Sequence, residues 1–236
     1  VADPQAVVVS GEARFAVLTS RVVRMEWSED GRFEDRATLV FVNRRLPVPA
    51  FHVDRRRGWL IIRTEALTLR YREGSGSFGR DNLRVDFGTG GLRGRWWPGK
   101  PNRRNLGGTA MTLDNCDGDR HILSGRKLDL GQGLISREGW ALIDDTGRPV
   151  FEDSDWPWVT PRPQKPHQDY VLFCYGLDFK AALADFVRLA GRVPIPPKFV
   201  FGYWWSRYWE YTDTEFRELV NEYRTHQVPL DVLVVD

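Results

Sequence analysis

The sequence predicts a mainly β fold, in which an antiparallel β-sandwich is followed by a linker helix and a β-α-β unit. Short β-rich runs in residues 5–175 are separated by turn residues at roughly ten-residue spacing, a pattern typical of a sandwich. A helical repeat and then a strand, helix and strand follow. We expect a sandwich domain at 1–178, a linker helix with a Pro-rich boundary at 179–197, and the α/β unit at 198–236.

The strands of the sandwich are predicted from period-two alternation and turn spacing. Val22, Met25 and Trp27 alternate with polar residues, as in a sheet with one solvated face. The segment 74–108 is rich in Gly, Arg and Asn and predicts long loops and edge strands. The expected strands are 6–9, 13–18, 22–27, 37–42, 59–64 and 67–71.

A helix is predicted at 177–191, after the last apolar run of the sandwich. Asp178 is placed to cap its N-terminus, and Gly191 is placed to end it. We expect one apolar face to be buried, made of Leu183, Phe186, Val187 and Ala190. Residues 191–197, which include three prolines, mark the domain boundary.

The final residues predict a strand, a helix and a second strand. The aromatic run 199–205 has strand length, and Thr212 with Glu215 forms a capping box for the helix. The run 230–235 is nearly all apolar, as in a parallel strand buried on both faces. The apolar stripe of the helix needs a sheet to cover and consists of Phe216, Leu219, Val220 and Tyr223.

Asp236 is a candidate site residue because of where it stands. It follows the strand 230–235, and ligand-binding residues gather at the carboxyl ends of strands in parallel α/β sheets and barrels. An Asp at a strand end is also a common helix cap or turn residue. The position by itself leaves both roles open.

The composition argues against several classes of protein. A net charge of +2 provides no field for nucleic acid or a membrane surface, and no apolar run reaches the length of a membrane span. Cys116 and Cys174 are too few for a disulfide framework, and Cys174 is expected to be buried. We expect a cytoplasmic protein, although the chain starts without Met, so that processing could have removed a targeting segment.

Most catalytic motifs are absent from the sequence. The four histidines lack metal-ligand spacing, the GTGG stretch at 88–91 lacks the Lys and helix of a phosphate loop, and no Ser or Cys triad can be assembled. We therefore expect no metal and no cofactor in this chain. The histidines are His52, His121, His167 and His226.

Aromatic residues give the clearest hint of a ligand. The chain has ten Trp, and Trp204, Trp205, Tyr208 and Trp209 crowd the end of the first strand of the α/β unit. Aromatic faces bind the apolar faces of sugar rings, and carboxylates accept hydrogen bonds from hydroxyls. Sugar recognition fits this combination, while core filling by Trp204 or Trp205 remains the alternative.

The motif GYWWSRYWEYTDTEF at 202–216, followed by VPLDVLVVD at 228–236, closely resembles the start of the catalytic barrel of glycoside hydrolase family 31. This is the α-glucosidase and α-xylosidase family. Segments at 14–44, 105–114, 134–146 and 175–199 are similar to its N-terminal sandwich and linker. The resemblance implies a galactose-mutarotase-like sandwich and the first β-α-β unit of a (β/α)8 barrel.

The resemblance also implies roles for individual residues. Asp236 matches an acidic residue that binds substrate hydroxyls, and Tyr208 matches an aromatic residue lining the same subsite, or Trp209 does if the loop is shifted by one. Asp144 and Asp145 lie in a segment that resembles a substrate loop reaching over the pocket. A plain β-turn is the alternative for that segment.

In the family the mechanism is retaining and uses two carboxylates, one as nucleophile and one as acid/base. The nucleophilic Asp stands in a Trp-x-Asp-x-x-Glu context and the acid/base Asp comes later, and residues 1–236 contain neither motif. The implied partners are an α-linked glycoside or oligosaccharide and the remainder of the barrel, with a homo-oligomer left open. The alternative is a non-catalytic carbohydrate-binding or mutarotase-like sandwich, in which the apolar strand 230–235 would be exposed and prone to aggregation.

Overall fold

The computed structural model describes residues 1–108, 130–156 and 158–235. The chain divides into two units, Val1–Arg192 and Val193–Asp236. In its described residues the first unit contains twelve strands and one α-helix, α1 (Phe179–Ala190). Its strands are β1 (Val7–Ser10), β2 (Ala13–Thr19), β3 (Val22–Ser28), β4 (His52–Arg56), β5 (Trp59–Arg63), β6 (Leu67–Arg72), β7 (Leu83–Thr89), β8 (Leu92–Trp96), β9 (Trp140–Asp144), β10 (Val150–Phe151), β11 (Val159–Thr160) and β12 (His167–Cys174).

Two antiparallel sheets form the sandwich. The first has the order β1-β2-β3-β12-β9 and the second the order β4-β5-β6-β7-β8, while β10 and β11 form a separate hairpin. The main core lies between the two five-stranded sheets and joins Phe15 and Met25 of the first to Leu60 and Tyr71 of the second. The predicted sandwich is confirmed. In the described part of residues 5–175, the helical structure is one short 3-10 turn at Pro4–Ala6.

A second core lies on the outer side of the first sheet, beneath α1. Leu18 and Phe173 of the sheet pack there with Ala182 and Leu189 of the helix. Asp178 caps the helix by accepting a hydrogen bond from the Ala181 amide, and Gly191 ends it, as predicted.

The predicted buried face of α1 is partly wrong. Leu183 and Val187 are 45% and 38% exposed, and the buried side chains are Ala182 and Leu189, with Phe186 partly buried. The side of the helix that packs on the sheet carries Ala182 and Leu189, not Leu183 and Val187. Hydrophobicity alone predicts that the neighbouring stripe with the larger residues, Leu183 and Val187, is the buried one.

Several strand predictions hold and others fail. Strands β1, β2, β3, β5 and β6 form close to the expected residues. Residues 37–42 do not form a strand: the Phe41 amide donates to the Thr38 hydroxyl, and Phe41 is buried. Strands β7 and β8 lie in the segment expected to hold long loops and edge strands, and β8 is indeed an edge strand, whereas β7 lies inside the sheet. Strand β4 was missed because all five of its residues are exposed, which leaves no apolar alternation.

The two sheets meet closely at two glycines. Gly90, in the turn between β7 and β8, lies beside Gly176, which follows β12, and the Leu177 amide donates to the Gly90 carbonyl at 3.0 Å. Both glycines have positive φ angles, +57° and +59°. A Cβ atom on Gly176 would stand 1.9 Å from the Thr89 carbonyl oxygen, so the contact needs glycine.

The second unit is a parallel β-α-β arrangement. Strands β13 (Trp204–Trp205) and β14 (Val232–Leu233) pair in parallel, and α2 (Asp213–Thr225) connects them. The predicted capping box of Thr212 and Glu215 is present. The predicted stripe of α2 is the set of helical residues that are partly buried: Phe216, Leu219, Val220 and Tyr223.

Both strands of the second unit are shorter than predicted. Residues Lys198–Phe201 form a 3-10 turn, in which the Gly202 amide donates to the Phe199 carbonyl. Strand β13 therefore starts only at Trp204. None of the helices in the described residues is long and apolar enough to cross a membrane.

We predict that Gly176→Ala lowers the free energy of unfolding by about 4 kcal/mol, because the new methyl group meets the Thr89 carbonyl in addition to the strain of a positive φ. Gly11→Ala is the matched control: its φ is +56° and the added Cβ has no atom within 4 Å. It should cost only about 1 kcal/mol. Urea denaturation followed by circular dichroism measures both, and equal losses would contradict the close approach of the two sheets.

Candidate functional site

The carboxyl ends of β13 and β14 lie at the same edge of the second unit. Trp204 pairs with Val232 and Trp205 with Leu233, and the Val234 amide donates to the Trp205 carbonyl at 3.0 Å. The loop 206–212 leaves β13 at this edge, and the last residues of the chain leave β14 there. This is the edge at which parallel α/β proteins bind ligands.

Tyr208 and Trp209, the predicted subsite residues, lie in this loop. Tyr208 is 95% exposed and Trp209 is 60% exposed. The Arg207 guanidinium stands 5.2 Å from the centre of the Trp209 ring, a cation-π contact that leaves the rest of the ring to solvent. The loop therefore presents two aromatic rings at the strand-end edge.

The tryptophans of β13 have different surroundings. Trp205 packs with Tyr211 and Phe216, at ring-centre distances of 5.3 and 6.4 Å, which matches the core-filling alternative. The indole of Trp204 donates to the Val200 carbonyl, and the residue is half exposed. Trp205 thus supports the helix, and the loop residues remain the ones available to a ligand.

Asp236 lies outside the described residues, so its predicted contact with substrate stays a prediction.

Asp231, at the other end of β14, was not predicted to have a role. Its carboxylate accepts a hydrogen bond from the Tyr203 amide at 2.9 Å, and its own amide donates to the Tyr203 carbonyl. A Cβ on Gly202 would meet this carboxylate at 2.2 Å. Asp231 therefore holds the two strands in register, and the Asp-Val-Leu sequence alone carries no signal for that role.

Asp144 and Asp145 form a turn at the end of β9. The Thr146 amide donates to the Asp144 carboxylate at 3.0 Å, and the Arg148 amide donates to the Asp145 carbonyl at 3.2 Å. The turn that the sequence left open as an alternative is confirmed.

The Asp145 side chain is fully buried inside the first unit. Its carboxylate accepts hydrogen bonds from the Thr38 hydroxyl at 3.3 Å and from Arg162 at 3.2 Å, and Arg44 stands 3.6 Å away. Burial and the charge of Asp169 raise the pKa of Asp145 above its usual range. Asp145 therefore has an ion-pairing role in the structure, and its predicted contact with substrate stays a prediction.

Asp145 belongs to a buried network that the sequence analysis missed. Arg24 of β3 makes two hydrogen bonds to Asp169 of β12, at 2.7 and 2.8 Å, and Arg162 makes another at 2.8 Å. Glu26 pairs with Arg24 at 2.9 Å and with Arg14 at 2.7 Å. Arg24 and Glu26 alternate with the apolar residues of β3, so the sequence does place both on the same side of that strand. Alternation alone predicts that this side faces solvent, and for that reason the buried network was missed.

The charges of this network set the pKa values of its carboxylates. Burial alone would raise the pKa of Asp169, but Arg24 and Arg162 outweigh burial and hold it well below its usual range. Burial, together with the charge of Asp169, raises the pKa of Glu26.

A cavity of about 220 Å³ borders Glu26 and Asp169, and its lining includes none of the four predicted site residues. Glu26 and Asp169 form ion pairs with Arg24, which gives both carboxylates a structural role.

The described residues hold no group of three or more His, Cys, Asp or Glu side chains that could bind a metal ion. Cys174 is buried as predicted, and burial raises the pKa of its thiol. At the edge where the parallel strands end, the described residues present two exposed aromatic rings, Tyr208 and Trp209.

Comparison with known proteins agrees with this geometry. Residues 193–236 match the family described as "Glycosyl hydrolases family 31 TIM-barrel domain", and this range coincides with the second unit. The second unit is therefore similar to the barrel domain of glycosyl hydrolases family 31. The resemblance stated from the motifs at 202–216 and 228–236 is confirmed.

Two curated proteins match the chain over 68 residues each. Alpha-glucosidase 2 of Bacillus thermoamyloliquefaciens is 40% identical, and the match covers 29% of this chain and 8% of that protein. Alpha-xylosidase of Saccharolobus solfataricus is 34% identical, over 29% of this chain and 9% of that protein. Both matches thus span less than a tenth of the relative.

Solved structures extend the likeness of fold over nearly the whole chain. The xylosidase from Aspergillus niger has a TM-score of 0.58 at 16% identity, covering 98% of this chain and 38% of that one. The GH31 dextranase of Flavobacterium johnsoniae has a TM-score of 0.54 at 17% identity, covering 94% of this chain and 31% of that one. At these identities the likeness shows the fold, a β-sandwich followed by the start of a barrel.

We predict that Asp169→Asn lowers the free energy of unfolding at pH 7 by about 3–5 kcal/mol, because Arg24 and Arg162 would stay buried without their shared carboxylate. The folded-state pKa of Asp169 is lowered, so its stabilisation is fully present above the ordinary Asp pKa of about 3.9 and is lost as the pH falls through the folded value. The difference between wild type and variant should therefore shrink below about pH 4.

Asp30→Asn is the control for this prediction. Its ion pair with Lys165 lies at the surface and should contribute far less. Urea denaturation at pH 7 and pH 3 measures all three proteins. A loss in Asp169→Asn no larger than in Asp30→Asn would show that the buried network is not stabilising.

Proposed function

We propose that the chain is the N-terminal part of a retaining α-glycosidase of the α-glucosidase type, which hydrolyses α-linked glucosides or oligosaccharides. The observation that carries this proposal is the family match over residues 193–236, which coincides with the parallel β13-α2-β14 unit. The names of the curated relatives, alpha-glucosidase and alpha-xylosidase, support an α-glycoside as the substrate class.

In this proposal the strand-end edge of the second unit forms part of the sugar-binding subsite. Tyr208 or Trp209 offers an aromatic face to the sugar ring, and both are exposed in the loop after β13. Asp236 accepts hydrogen bonds from sugar hydroxyls, since an ionised carboxylate offers several acceptor positions. These three residues bind and orient the sugar, and they do not break the glycosidic bond.

The bond-breaking chemistry is assigned to residues outside 1–236. A retaining glycosidase needs two carboxylates about 5–5.5 Å apart, one to attack the anomeric carbon and one to protonate the leaving oxygen. The buried carboxylates of the first unit are engaged by arginines, which does not suit either role. The first unit is therefore proposed to take no part in breaking the glycosidic bond.

The exposed apolar residues of the second unit favour the barrel proposal over a free-standing sandwich with a short appendage. Phe201 is 74% exposed and Val235 is 72% exposed. Such residues fit a surface that neighbouring strands and helices of a barrel cover.

We also propose a cytoplasmic location, because the two cysteines are too few for a disulfide framework.

We predict that purified residues 1–236 do not turn over a nitrophenyl α-glucoside, whereas a protein that carries the same residues and a complete family 31 barrel does. The reason is the missing carboxylate pair. Release of nitrophenol measures both proteins. Turnover by residues 1–236 alone would place catalytic groups within this chain and would overturn the assignment.

We predict that, in the protein with a complete barrel, Asp236→Asn lowers kcat/KM by roughly tenfold to a hundredfold and leaves the melting temperature nearly unchanged. Hydrogen bonds to a charged acceptor contribute about 1.5–3 kcal/mol, and an amide offers only one acceptor oxygen. Steady-state kinetics and thermal unfolding measure the two effects. An Asp that merely caps a helix would be replaced by Asn without kinetic effect, so an unchanged kcat/KM would remove Asp236 from the subsite.

A further inference from the structure

The outward side of the second sheet is strongly basic. Alternation along β4–β8 turns Leu60, Leu69 and Val85 toward the core, so their neighbours in the strands face outward. The charged outward positions hold seven arginines and two aspartates, a formal charge of +5. These residues, which we call the arginine face, are Arg56, Arg63, Arg70, Arg72, Arg84, Arg93 and Arg95 with Asp54 and Asp86.

The arginines of this face outnumber the acids that pair with them. Asp86 is shared by three guanidinium groups: Arg70 at 2.5 Å, Arg84 at 3.4 Å and Arg95. Arg63 has a long contact with Asp54, at 3.7 Å. The side chains of Arg63, Arg84 and Arg95 are each about half exposed, so much of the positive charge stands free in solvent.

A cleft runs along part of the arginine face. Its volume is about 440 Å³, and its lining includes Arg56, Arg70, Arg84, Asp81, Trp59 and Ile61. Trp59 and Ile61 are partly buried and give the cleft an apolar floor between the cations. The cleft therefore combines several guanidinium groups with a small apolar surface.

We propose that the arginine face binds an anionic polysaccharide, whose sugar units carry carboxylate or sulfate groups. Guanidinium groups bind planar oxyanions through two parallel hydrogen bonds. Neighbouring strands are about 4.8 Å apart and alternate residues of a strand about 6.8 Å apart, so the arginines form a grid that suits a chain of repeated charges. Trp59 and Ile61 offer an apolar surface to a sugar ring.

Nucleic acid fits this face less well. Proteins that bind single strands use a succession of aromatic platforms for the bases, whereas among the outward positions of β5–β8 the aromatic residue is Trp59 alone. The inference rests on the first unit and does not depend on the proposed glycosidase activity.

The test is a calorimetric titration of the 236-residue chain with dextran sulfate and with polygalacturonate. Unmodified dextran is the neutral control, and a short DNA duplex is the nucleic-acid control. We expect both anionic polysaccharides to bind, with an affinity that falls as salt is added, and dextran not to bind. No binding of either anionic polysaccharide, equal binding of dextran, or tighter binding of DNA would overturn the proposal.

Variants of the face locate the site. Arg70→Gln with Arg84→Gln should weaken binding by about tenfold, because two contacts to the anion are removed. Arg45→Gln with Arg104→Gln removes the same charge from exposed positions outside the second sheet and should have little effect. Equal weakening by the two pairs would show attraction to net charge only and would overturn the site.

A third variant moves the affinity in the opposite direction. Asp86→Asn removes the carboxylate that Arg70, Arg84 and Arg95 share, so it should strengthen binding of dextran sulfate by several-fold. A role of Asp86 in folding alone would not produce tighter binding. Melting temperatures check that each variant folds, and Arg63→Gln with Arg93→Gln replaces the first pair if that pair fails to fold. Unchanged or weaker binding by folded Asp86→Asn contradicts the proposal.

Discussion

The buried ion pair between Arg24 and Asp169 is the interaction on which the outer side of the first sheet depends. Both residues lie on central strands and have almost no contact with solvent. A buried charge lowers the stability of the fold by several kcal/mol unless a partner neutralises it. Further charged side chains, those of Glu26 and Arg162, contact this pair. Arg24 also donates to the Glu34 carbonyl at 2.9 Å, and Arg44 donates to the Arg36 carbonyl at 2.8 Å. The network thereby holds the segment after β3 against the sheet through backbone contacts rather than through strand pairing.

The same sheet is covered by apolar packing on its other half. Helix α1 lies there with Phe41, and the inner side of the sheet packs against the second sheet. The first sheet is thus buried on both sides, by a polar network on one area and by apolar side chains elsewhere. The second sheet differs, because its outward side carries exposed arginines. One sandwich therefore contains a sheet that is enclosed and a sheet that is available to a ligand.

In the second unit the geometry of parallel strands determines where recognition can occur. Register is held by Asp231 and Tyr203 at the amino end of β14, and the partly buried rings of Trp205, Tyr211 and Phe216 pack together. These contacts leave the loop with Tyr208 and Trp209 free at the carboxyl end. The residues that stabilise the unit and the residues that face a ligand are therefore separated along the strand direction.

The sequence by itself determined the sandwich, the capping of both helices, the stripe of α2 and the strand-end position of the aromatic loop. These features depend on local periodicity and on capping residues, which act within a few positions of the chain. Only the tertiary structure decided that Arg24, Glu26 and Asp169 are buried, that 37–42 is not a strand, and that α1 buries Ala182 rather than Leu183. The burial of Arg24 depends on Asp169, a partner that lies 145 residues away in sequence. A pattern of polar residues cannot distinguish a solvated face from one that is enclosed by paired charges.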